Sequence, residues 1–264
     1  MDVRLDGRVA VITGASTGLG LAMASEFAAS GGSVALLARR EDALATAKAQ
    51  VIDAAGQTDA KVKTYSCDVS QAQPITDTFN QVVADFGKVD ILVNNAGVSH
   101  AKPFDTVTDE DWQADLDLKL FAAIRLTRLA LPGMRDRTWG RIVNVLNIGA
   151  KAPGANSTPT SVSRAAGLAL TKALSRENAE HNVLVNAMLV GLIESDQWRR
   201  RHASADDGTS YQQFLAGMAT GNIPLGRMGR ADEFARLACF LCSDAGSFVT
   251  GVAINVDGGA SPVV

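Results

Sequence analysis

The chain has 264 residues, 47% of them hydrophobic, which suits one sizeable α/β domain that buries most of its surface. A net charge of -3 and scattered basic residues disfavour DNA and RNA as partners. The first residues lack the layout of a signal peptide, and no apolar run approaches the roughly 20 residues that span a bilayer. We therefore expect a soluble, cytoplasmic protein with no membrane partner.

Short apolar runs alternate with longer helical patterns along the chain. The runs that predict strands are residues 9–13, 33–38, 63–67, 91–94, 142–146, 183–188 and 253–256. Such alternation is typical of a doubly wound parallel sheet with helices on both faces. We expect an α/β fold of about seven strands that forms a single domain over residues 1–264.

Two segments stand apart from this pattern. The polar, Gly-rich stretch at about 195–221 predicts an irregular segment, which we interpret as a substrate lid. Cys239 and Cys242 lie one turn apart in an apolar-periodic segment. That spacing favours two small buried side chains over a metal or redox site.

A glycine-rich turn follows the first predicted strand. Glycines permit a tight turn and let the backbone approach a pyrophosphate, which the exposed N–H groups at the start of the next helix can bind. The spacing G-x-x-x-G-x-G resembles that of the short-chain dehydrogenase/reductase (SDR) family. The residues of this predicted cofactor turn are Gly14, Ser16, Thr17, Gly18, Leu19 and Gly20.

Further segments resemble the SDR pattern in the same order. Asp68 and Val69 resemble the pair that contacts adenine in that family, and residues 94–97 match its Asn-Asn-Ala-Gly motif. Residues 191–195 resemble the segment that holds the nicotinamide carboxamide, and residues 256–259 resemble the last strand and turn. The resemblance implies a Rossmann-type fold with a dinucleotide at the carboxyl ends of the strands. It adds to the cofactor residues Asn95, Ala96, Gly97, Gly191, Ile193 and Ser195.

The end of the second strand bears on the choice of cofactor. An acidic residue there would bind an adenosine ribose, whereas an arginine would pair with a 2′-phosphate. Here Ala38 is followed by Arg39 and Arg40. The alternative is two solvated arginines at a helix start, but the lack of an acid favours NADP(H) over NAD(H).

The resemblance also locates the four catalytic positions of the family, which are Asn, Ser, Tyr and Lys. Lys119 stands at the Asn position, Asn147 at the Ser position, Thr160 at the Tyr position and Arg164 at the Lys position. All four residues are replaced.

The register behind this assignment is hard to move. Residues 163–168 read Ser-Arg-Ala-Ala-Gly-Leu and match the family's Ser-Lys-Ala-Ala segment. The chain has two tyrosines, of which Tyr65 belongs to the third predicted strand and Tyr211 to the predicted lid. No small shift therefore restores a tyrosine.

Each replacement has its own chemical consequence. Thr160 cannot plausibly ionise as a tyrosine does, although its hydroxyl can donate a hydrogen bond. Arg164 keeps a positive charge that can hold the nicotinamide ribose, but a guanidinium does not relay a proton. The amide of Asn147 can stabilise an oxyanion. Lys119 and Lys151 are candidate cations that could carry a proton if burial lowered their pKa.

Structural alternatives accompany these roles. Thr160 could be the N-cap of a helix over residues 161–174, and Lys119 could extend to solvent. For Lys119 and Arg164 the inherited site location favours a pocket role. For Lys151 a loop charge is favoured, and His100, a candidate acid or base, is favoured as a surface residue.

The run from Trp198 to His202 contains three consecutive arginines. With Arg164 and Lys119 it suggests a cationic cavity for an anionic substrate such as a carboxylate. A solvated helix face beside an oligomer contact is about as well supported.

Three functional classes fit the sequence. One is an NADP(H)-dependent oxidoreductase with a remodelled site, protonated by Lys119, His100 or water. Another is a non-redox enzyme with a cationic pocket, and the third is a catalytically silent, NADP-binding regulatory protein. The resemblance implies a small-molecule substrate and a homo-oligomer, either a dimer or a tetramer.

Overall fold

The computed structural model describes residues 3–205 and 208–264. Within these residues lies a sheet of seven parallel strands in the order β3-β2-β1-β4-β5-β6-β7. The strands are β1 (Val9–Thr13), β2 (Ser33–Ala38), β3 (Val62–Ser66), β4 (Ile91–Asn94), β5 (Gly140–Asn147), β6 (Val183–Val190) and β7 (Ala253–Val256). The predicted single-domain, Rossmann-type α/β fold is confirmed. The strand β3 begins one residue earlier than predicted, and β5 and β6 are longer.

The middle strands are apolar along most of their length because helices cover both faces of the sheet. All five residues of β1 are buried, and so are the first seven residues of β5 and of β6. The strand β7 lies at the edge, and its residues are only half-buried. Because the strands are parallel, their carboxyl ends lie together on one side of the sheet, where the glycine-rich turn and the Asn-Asn-Ala-Gly segment follow β1 and β4.

Helices cover the sheet in two layers. Phe27 and Phe234 are fully buried in the layer formed by α1, α2 and α9, whereas Phe79 and Leu126 belong to the layer of α3, α5 and α6. The helices are α1 (Gly18–Ala29), α2 (Glu41–Ala55), α3 (Ala72–Phe86), α4 (Asp109–Leu116), α5 (Ala122–Asp136), α6 (Thr160–Asn178), α7 (Asp196–Ala205), α8 (Tyr211–Ala219) and α9 (Ala231–Cys242). None of the helices in the described part of the chain is long and apolar enough to cross a membrane.

A π-helical turn over Asp117–Phe121 joins α4 to α5. The helical segment formed by α4, this turn and α5 begins at a capping box, in which the hydroxyl of Thr108 accepts from the backbone N–H of Asp111. The π turn changes the direction in which side chains leave the helix, and such turns are frequent at functional sites. Lys119 lies in this turn, and only 6% of it is exposed.

The segment 195–221 is not irregular, which corrects the sequence-based expectation. It contains α7 and α8, while residues 206 and 207 lie outside the described part of the chain. Ser210 and Gln213 form a capping box at the start of α8. The polar composition belongs to helix surfaces around a small apolar cluster of Leu215, Ala219, Ile223 and Met228.

Cys239 and Cys242 are buried on α9, as their spacing predicts. Burial raises the pKa of the Cys239 thiol to about 11 and raises the pKa of Cys242 further. Both residues therefore stay protonated, as small packing side chains do. Within residues 3–205 and 208–264, no cluster of three His, Cys, Asp or Glu is placed to hold a metal ion.

Candidate active site

Hydrogen bonds fasten the glycine-rich turn to the Asn-Asn-Ala-Gly segment. The hydroxyl of Thr13 accepts from the backbone N–H groups of Asn95 and Ala96, both at 2.9 Å. The amide of Asn95 donates to the carbonyl oxygens of Thr13 and Gly14 at 2.9 and 3.3 Å. Thr13, which the sequence pattern alone did not mark, thus ties the end of β1 to the end of β4.

Glycines decide the path of the turn. Gly14 and Gly18 have φ values of 64° and 58°, in the left-handed region that side chains disfavour. A Cβ on Gly20 would overlap the carbonyl oxygen of Gly14, so glycine lets α1 begin close to the strand. A Cβ on Gly18 would meet nothing nearer than the Cβ of Ser195, at 4.0 Å. The turn therefore has an open backbone face below the segment that leads to α7.

The start of α1 offers backbone donors to a ligand. Thr17 is the exposed N-cap residue, and its side chain makes no capping hydrogen bond. Ser16 and Leu19 are half-buried on either side, and Leu19 packs against the core. Uncapped N–H groups carry the positive end of the helix dipole, so the turn fits the diphosphate of a dinucleotide.

The predicted adenine-end residues lie side by side after β2 and β3. Arg39 and Arg40 are exposed, and the side chain of Arg39 has no hydrogen-bond or ion-pair partner among the described residues. The carboxylate of Asp68 accepts from the backbone N–H and hydroxyl of Ser70 at 3.0 and 2.8 Å, while Val69 is buried. Arg39 is therefore free to meet a phosphate, whereas the guanidinium of Arg40 lies 3.9 Å from the carboxylate of Asp42.

The segment after β6 closes the same edge of the sheet. The N–H of Gly191 donates to the carbonyl of Val256, and a Cβ on Gly191 would lie 2.5 Å from the Cβ of Asp257. The side chain of Ile193 is buried in the core, so its backbone is what can face a ligand. The carbonyl of Ser195 accepts the first hydrogen bonds of α7.

A buried polar cluster occupies the predicted catalytic positions. The ammonium of Lys119 donates to the hydroxyl of Thr160 at 2.9 Å and forms a short ion pair with the carboxylate of Asp115. The second oxygen of Asp115 accepts from the hydroxyl of Ser163 at 2.6 Å. Asp115 is fully buried. The cluster thus links the helical segment of α4, the π turn and α5 to the start of α6.

Asp115 is the residue that the sequence analysis missed. Asp and Lys four residues apart on a helix are neighbours on one face, and this spacing was the available signal. What the spacing could not show is that both side chains turn into the protein and meet α6. The structure also rules out Lys119 extending to solvent, since its side chain is 1% exposed.

The Thr160 hydroxyl is not a helix cap. Thr160 is the first residue of α6, Pro159 is the N-cap, and the helix runs to Asn178, four residues beyond the predicted end. The hydroxyl instead accepts from Lys119 and from the backbone N–H of His100, at 3.0 Å. Both lone pairs of its oxygen are therefore occupied, while its own proton donates weakly to Oδ1 of Asp115 at 3.5 Å and can turn to a ligand instead.

Burial makes Lys119 a proton donor of useful strength. Desolvation lowers the pKa of its ammonium to about 8, against the pull of Asp115, which raises it, and with a smaller lowering by the charge of Arg164. A lysine with a pKa near neutrality can release and regain a proton during a reaction.

Arg164 lies behind this cluster. Its guanidinium donates to the carbonyl of Val145 at 2.9 Å and lies against Gly97, where a Cβ would overlap it. Burial lowers the pKa of Arg164 to about 10, although the nearby Asp115 opposes this effect. Arg164 therefore remains a fixed positive charge at neutral pH, next to the Asn-Asn-Ala-Gly segment.

Asn147 ends β5 at the position of the family's serine. It is half-buried, and its Oδ1 atom accepts no hydrogen bond within the described residues. A buried amide oxygen without a partner is unusual. The Asn147 amide is therefore a candidate contact for a ligand.

Two further candidates have different surroundings. His100 is 47% exposed, and its Nδ1 lies 3.6 Å from Oδ1 of Asp115, so it belongs to the edge of the cluster. Lys151 donates to the carbonyl of Ala253 and to the amide oxygen of Asn255, at 2.7 and 3.0 Å. Lys151 thus braces the edge strand β7 rather than being a free loop charge.

The sequence matches known proteins over nearly its full length. A sequence profile of the family described as Enoyl-(Acyl carrier protein) reductase matches residues 14–261. The acetoacetyl-CoA reductase of Shinella zoogloeoides is 34% identical and aligns over 96% of this chain and 98% of its own.

Two solved structures share the whole fold. The L-sorbose reductase of Gluconobacter frateurii, complexed with NADPH and L-sorbose, has a TM-score of 0.94 and 34% identity, with all of both chains covered. A short-chain oxidoreductase of Pseudomonas aeruginosa PAO1, bound to NADPH and containing an atypical catalytic center, has a TM-score of 0.90 and 35% identity over 99% of both chains. With these matches over nearly its full length, the chain belongs to the short-chain dehydrogenase/reductase superfamily.

Proposed function

We propose that the protein is an NADP(H)-dependent oxidoreductase that interconverts a carbonyl compound and its alcohol, with Thr160 and Lys119 supplying the proton that a tyrosine supplies in the family. The observation that carries this proposal is the 2.9 Å hydrogen bond from Lys119 to Thr160 in a buried site. Support comes from relatives that are reductases and from the P. aeruginosa oxidoreductase, whose catalytic center is also atypical.

The cofactor would lie along the carboxyl edge of the sheet. The glycine turn fits its diphosphate, Arg39 and Arg40 its 2′-phosphate, and Asp68 with Val69 its adenine. The Asn-Asn-Ala-Gly segment with Arg164, and the backbone from Gly191 to Ser195, would hold the nicotinamide half. When bound, the reduced cofactor supplies a hydride to the carbonyl carbon.

The proton would travel by a two-residue relay. An isolated threonine hydroxyl is far too weak an acid to act alone. As negative charge develops on the substrate oxygen, the hydroxyl of Thr160 gives its proton to that oxygen and takes one from the ammonium of Lys119. General acid catalysis of this kind contributes roughly 10² to 10⁴ in rate.

Asn147 and Arg164 would complete the site. The amide of Asn147 is positioned at the end of β5, where it can donate to the developing oxyanion. Lys119 and Arg164 carry two positive charges against the single carboxylate of Asp115, so the site is cationic before Lys119 gives up its proton. We therefore place anionic carbonyl compounds, such as oxo acids, first among the substrate classes, below a lid formed by α7 and α8.

Steady-state oxidation of NADPH tests this proposal. We expect turnover with members of a panel of 2- and 3-oxo acids, ketoses and simple ketones, with simple ketones slowest, and loss of that turnover in the variant Thr160→Val. Tight binding of NADPH without turnover of any compound would favour a silent, NADP-binding protein instead. In that case, activity gained by the double variant Thr160→Tyr, Arg164→Lys would identify a decayed redox site.

A further inference from the structure

The proposed relay leaves Lys119 without a proton after each reduction, in a place that solvent does not reach. Its side chain is 1% exposed, and its described hydrogen-bond partners are Thr160 and Asp115. We propose, on the basis of the function above, that Asp115 and His100 form the route by which a proton from solvent returns to Lys119. His100 would then be a proton-shuttle residue that acts through Asp115.

Lys119 and His100 contact the same oxygen of Asp115, to which the hydroxyl of Thr160 also donates at 3.5 Å. Oδ1 faces both the ammonium of Lys119 and, at 3.6 Å, Nδ1 of His100. The other oxygen, Oδ2, accepts from Ser163 at 2.6 Å, which fixes the plane of the carboxylate. A proton taken up at Oδ1 from His100 therefore arrives on the atom that already contacts Lys119.

His100 joins this buried site to the surface. Its backbone N–H donates to Thr160 at 3.0 Å, which anchors the residue at the cluster. Its ring is 47% exposed and lines a groove of about 270 Å³ together with Ala101, Lys102, Asp111 and Ala114. The gap of 3.6 Å to Asp115 is slightly longer than a hydrogen bond, and a small rotation of the half-exposed ring closes it.

The charged neighbours leave this route open. Lys102 and Asp111 form an ion pair of 2.5 Å on the groove wall and offset each other. Arg164 faces Asp115 from α6 but holds its proton too tightly to serve as a shuttle. The cavity beside Lys119 that Asn94 and Arg164 also line has a volume of about 10 Å³, enough for a single water and too small for a chain of waters.

Each proton transfer along the route has a donor and an acceptor and leaves no charge unaccounted for. Protonated His100 gives the proton on Nδ1 to Oδ1 of Asp115, and the carboxylic acid so formed gives a proton to the neutral amine of Lys119. This restores the ammonium and the carboxylate. The neutral ring of His100, turned toward the groove, then takes a proton at Nδ1 from a buffer acid.

Chemical rescue tests the route. In weak buffer we expect His100→Ala to lower kcat on the order of 10-fold or more, with KM for NADPH unchanged, because proton return becomes rate-limiting. Imidazole, which fits the groove and carries protons, should restore kcat in a concentration-dependent way. Pyrazole, of the same shape but a far weaker base, should not. His181→Ala is the matched control, since His181 is similarly exposed at 38% but lies beyond the far end of α6.

A second measurement does not need turnover. On protein labelled with ¹⁵N-lysine, the exchange of the Lys119 ammonium protons with water should slow in His100→Ala and recover with imidazole. The signal of Lys119 is identified by its absence in the variant Lys119→Arg. Three results for His100→Ala would each overturn the route. They are a kcat in weak buffer equal to that of the wild type, equal rescue by pyrazole and imidazole, and unchanged exchange of the Lys119 protons. Failure of the wild-type enzyme to reduce any carbonyl compound would instead contradict the proposed function, and the exchange measurement would still decide on the route.

Discussion

The ammonium of Lys119 and the hydroxyl of Thr160 are joined by a 2.9 Å hydrogen bond, although the two residues lie on different helices and 41 positions apart. In the family that this chain resembles, one tyrosine carries the proton and a lysine one helical turn later tunes it. Here the hydroxyl has come from the tyrosine position and the ammonium from the asparagine position. In the proposed mechanism, the charge that assists proton transfer therefore comes from the π turn instead of from α6.

Removing the hydroxyl of Thr160 should abolish most of the activity while leaving the fold intact. Thr160→Val keeps the shape of the side chain but removes the acceptor shared by Lys119 and the His100 N–H, so that Asp115 remains as the partner of Lys119. We expect kcat for carbonyl reduction to fall about 100-fold or more, with KM for NADPH nearly unchanged. Thr160→Ser, which keeps the hydroxyl, is the control and should retain most of the rate. Equal rates in wild type and Thr160→Val would show that the proton comes from elsewhere.

The pKa of Lys119 sets the expected pH dependence. Burial lowers this pKa to about 8, and reduction needs the protonated ammonium. The kcat/KM for reduction should therefore be level below pH 8 and fall about tenfold per unit above it. Oxidation of the alcohol needs the neutral amine, so its kcat/KM should rise with pH up to the same region. A profile recorded in both directions checks the sign, and a falling limb that persists in Lys119→Met would assign the titration to another group.

Arg39 should govern the preference between the two nicotinamide cofactors. Its guanidinium is exposed at the end of β2 without a described protein partner, which suits a 2′-phosphate. Hydrogen bonds to charged groups contribute about 1.5 to 3 kcal/mol, so Arg39→Ala should weaken NADPH binding roughly 10- to 100-fold and leave NADH binding unchanged. Calorimetric titration measures both affinities.

Arg176→Ala provides the control for this change, because Arg176 is also exposed but lies in the last turn of α6. Its NADPH affinity should equal that of the wild type. Parallel losses of NADPH and NADH binding in Arg39→Ala would contradict the phosphate assignment.

Local sequence patterns predicted most of the fold because strand burial and backbone conformation depend mainly on neighbouring residues. Continuous Val and Ile runs mark strands buried on both faces, and the glycine turn after β1 is dictated by backbone conformation. The prediction of irregular structure for residues 195–221 was wrong because a helix with a mostly solvated surface has a polar composition. The capping box between Ser210 and Gln213 was the signal for α8.

The candidate site was predictable in position but not in connectivity. Alignment with the family motifs located Lys119 and Thr160, yet their hydrogen bond depends on the π turn at Asp117–Phe121, which no residue pattern indicated. Asp115 was missed because its importance arises from contacts to α6, 48 residues away at Ser163. The preference for NADP(H) and the homo-oligomer stay predictions, since both concern partners outside this chain.

Two glycines within helices should respond oppositely to the same substitution. Gly20→Ala places a methyl group against the carbonyl oxygen of Gly14 and 2.7 Å from the amide nitrogen of Asn95. The turn must shift, so we expect a loss of about 1 to 3 kcal/mol in the free energy of unfolding, together with weaker NADPH binding. Gly217→Ala, in α8, meets nothing within 4 Å and should instead gain about 0.5 to 1 kcal/mol.

Urea unfolding of both variants measures the two changes, and titration with NADPH separates a local effect on the turn from general loss of stability. Because Gly217 lies in α8 and not in the glycine-rich turn, its variant should bind NADPH as the wild type does. A gain of stability in both variants would mean that helix propensity, and not the contact with Gly14, dominates at Gly20. Wild-type NADPH affinity in Gly20→Ala would show that the close approach of α1 to β1 is not what shapes the diphosphate site.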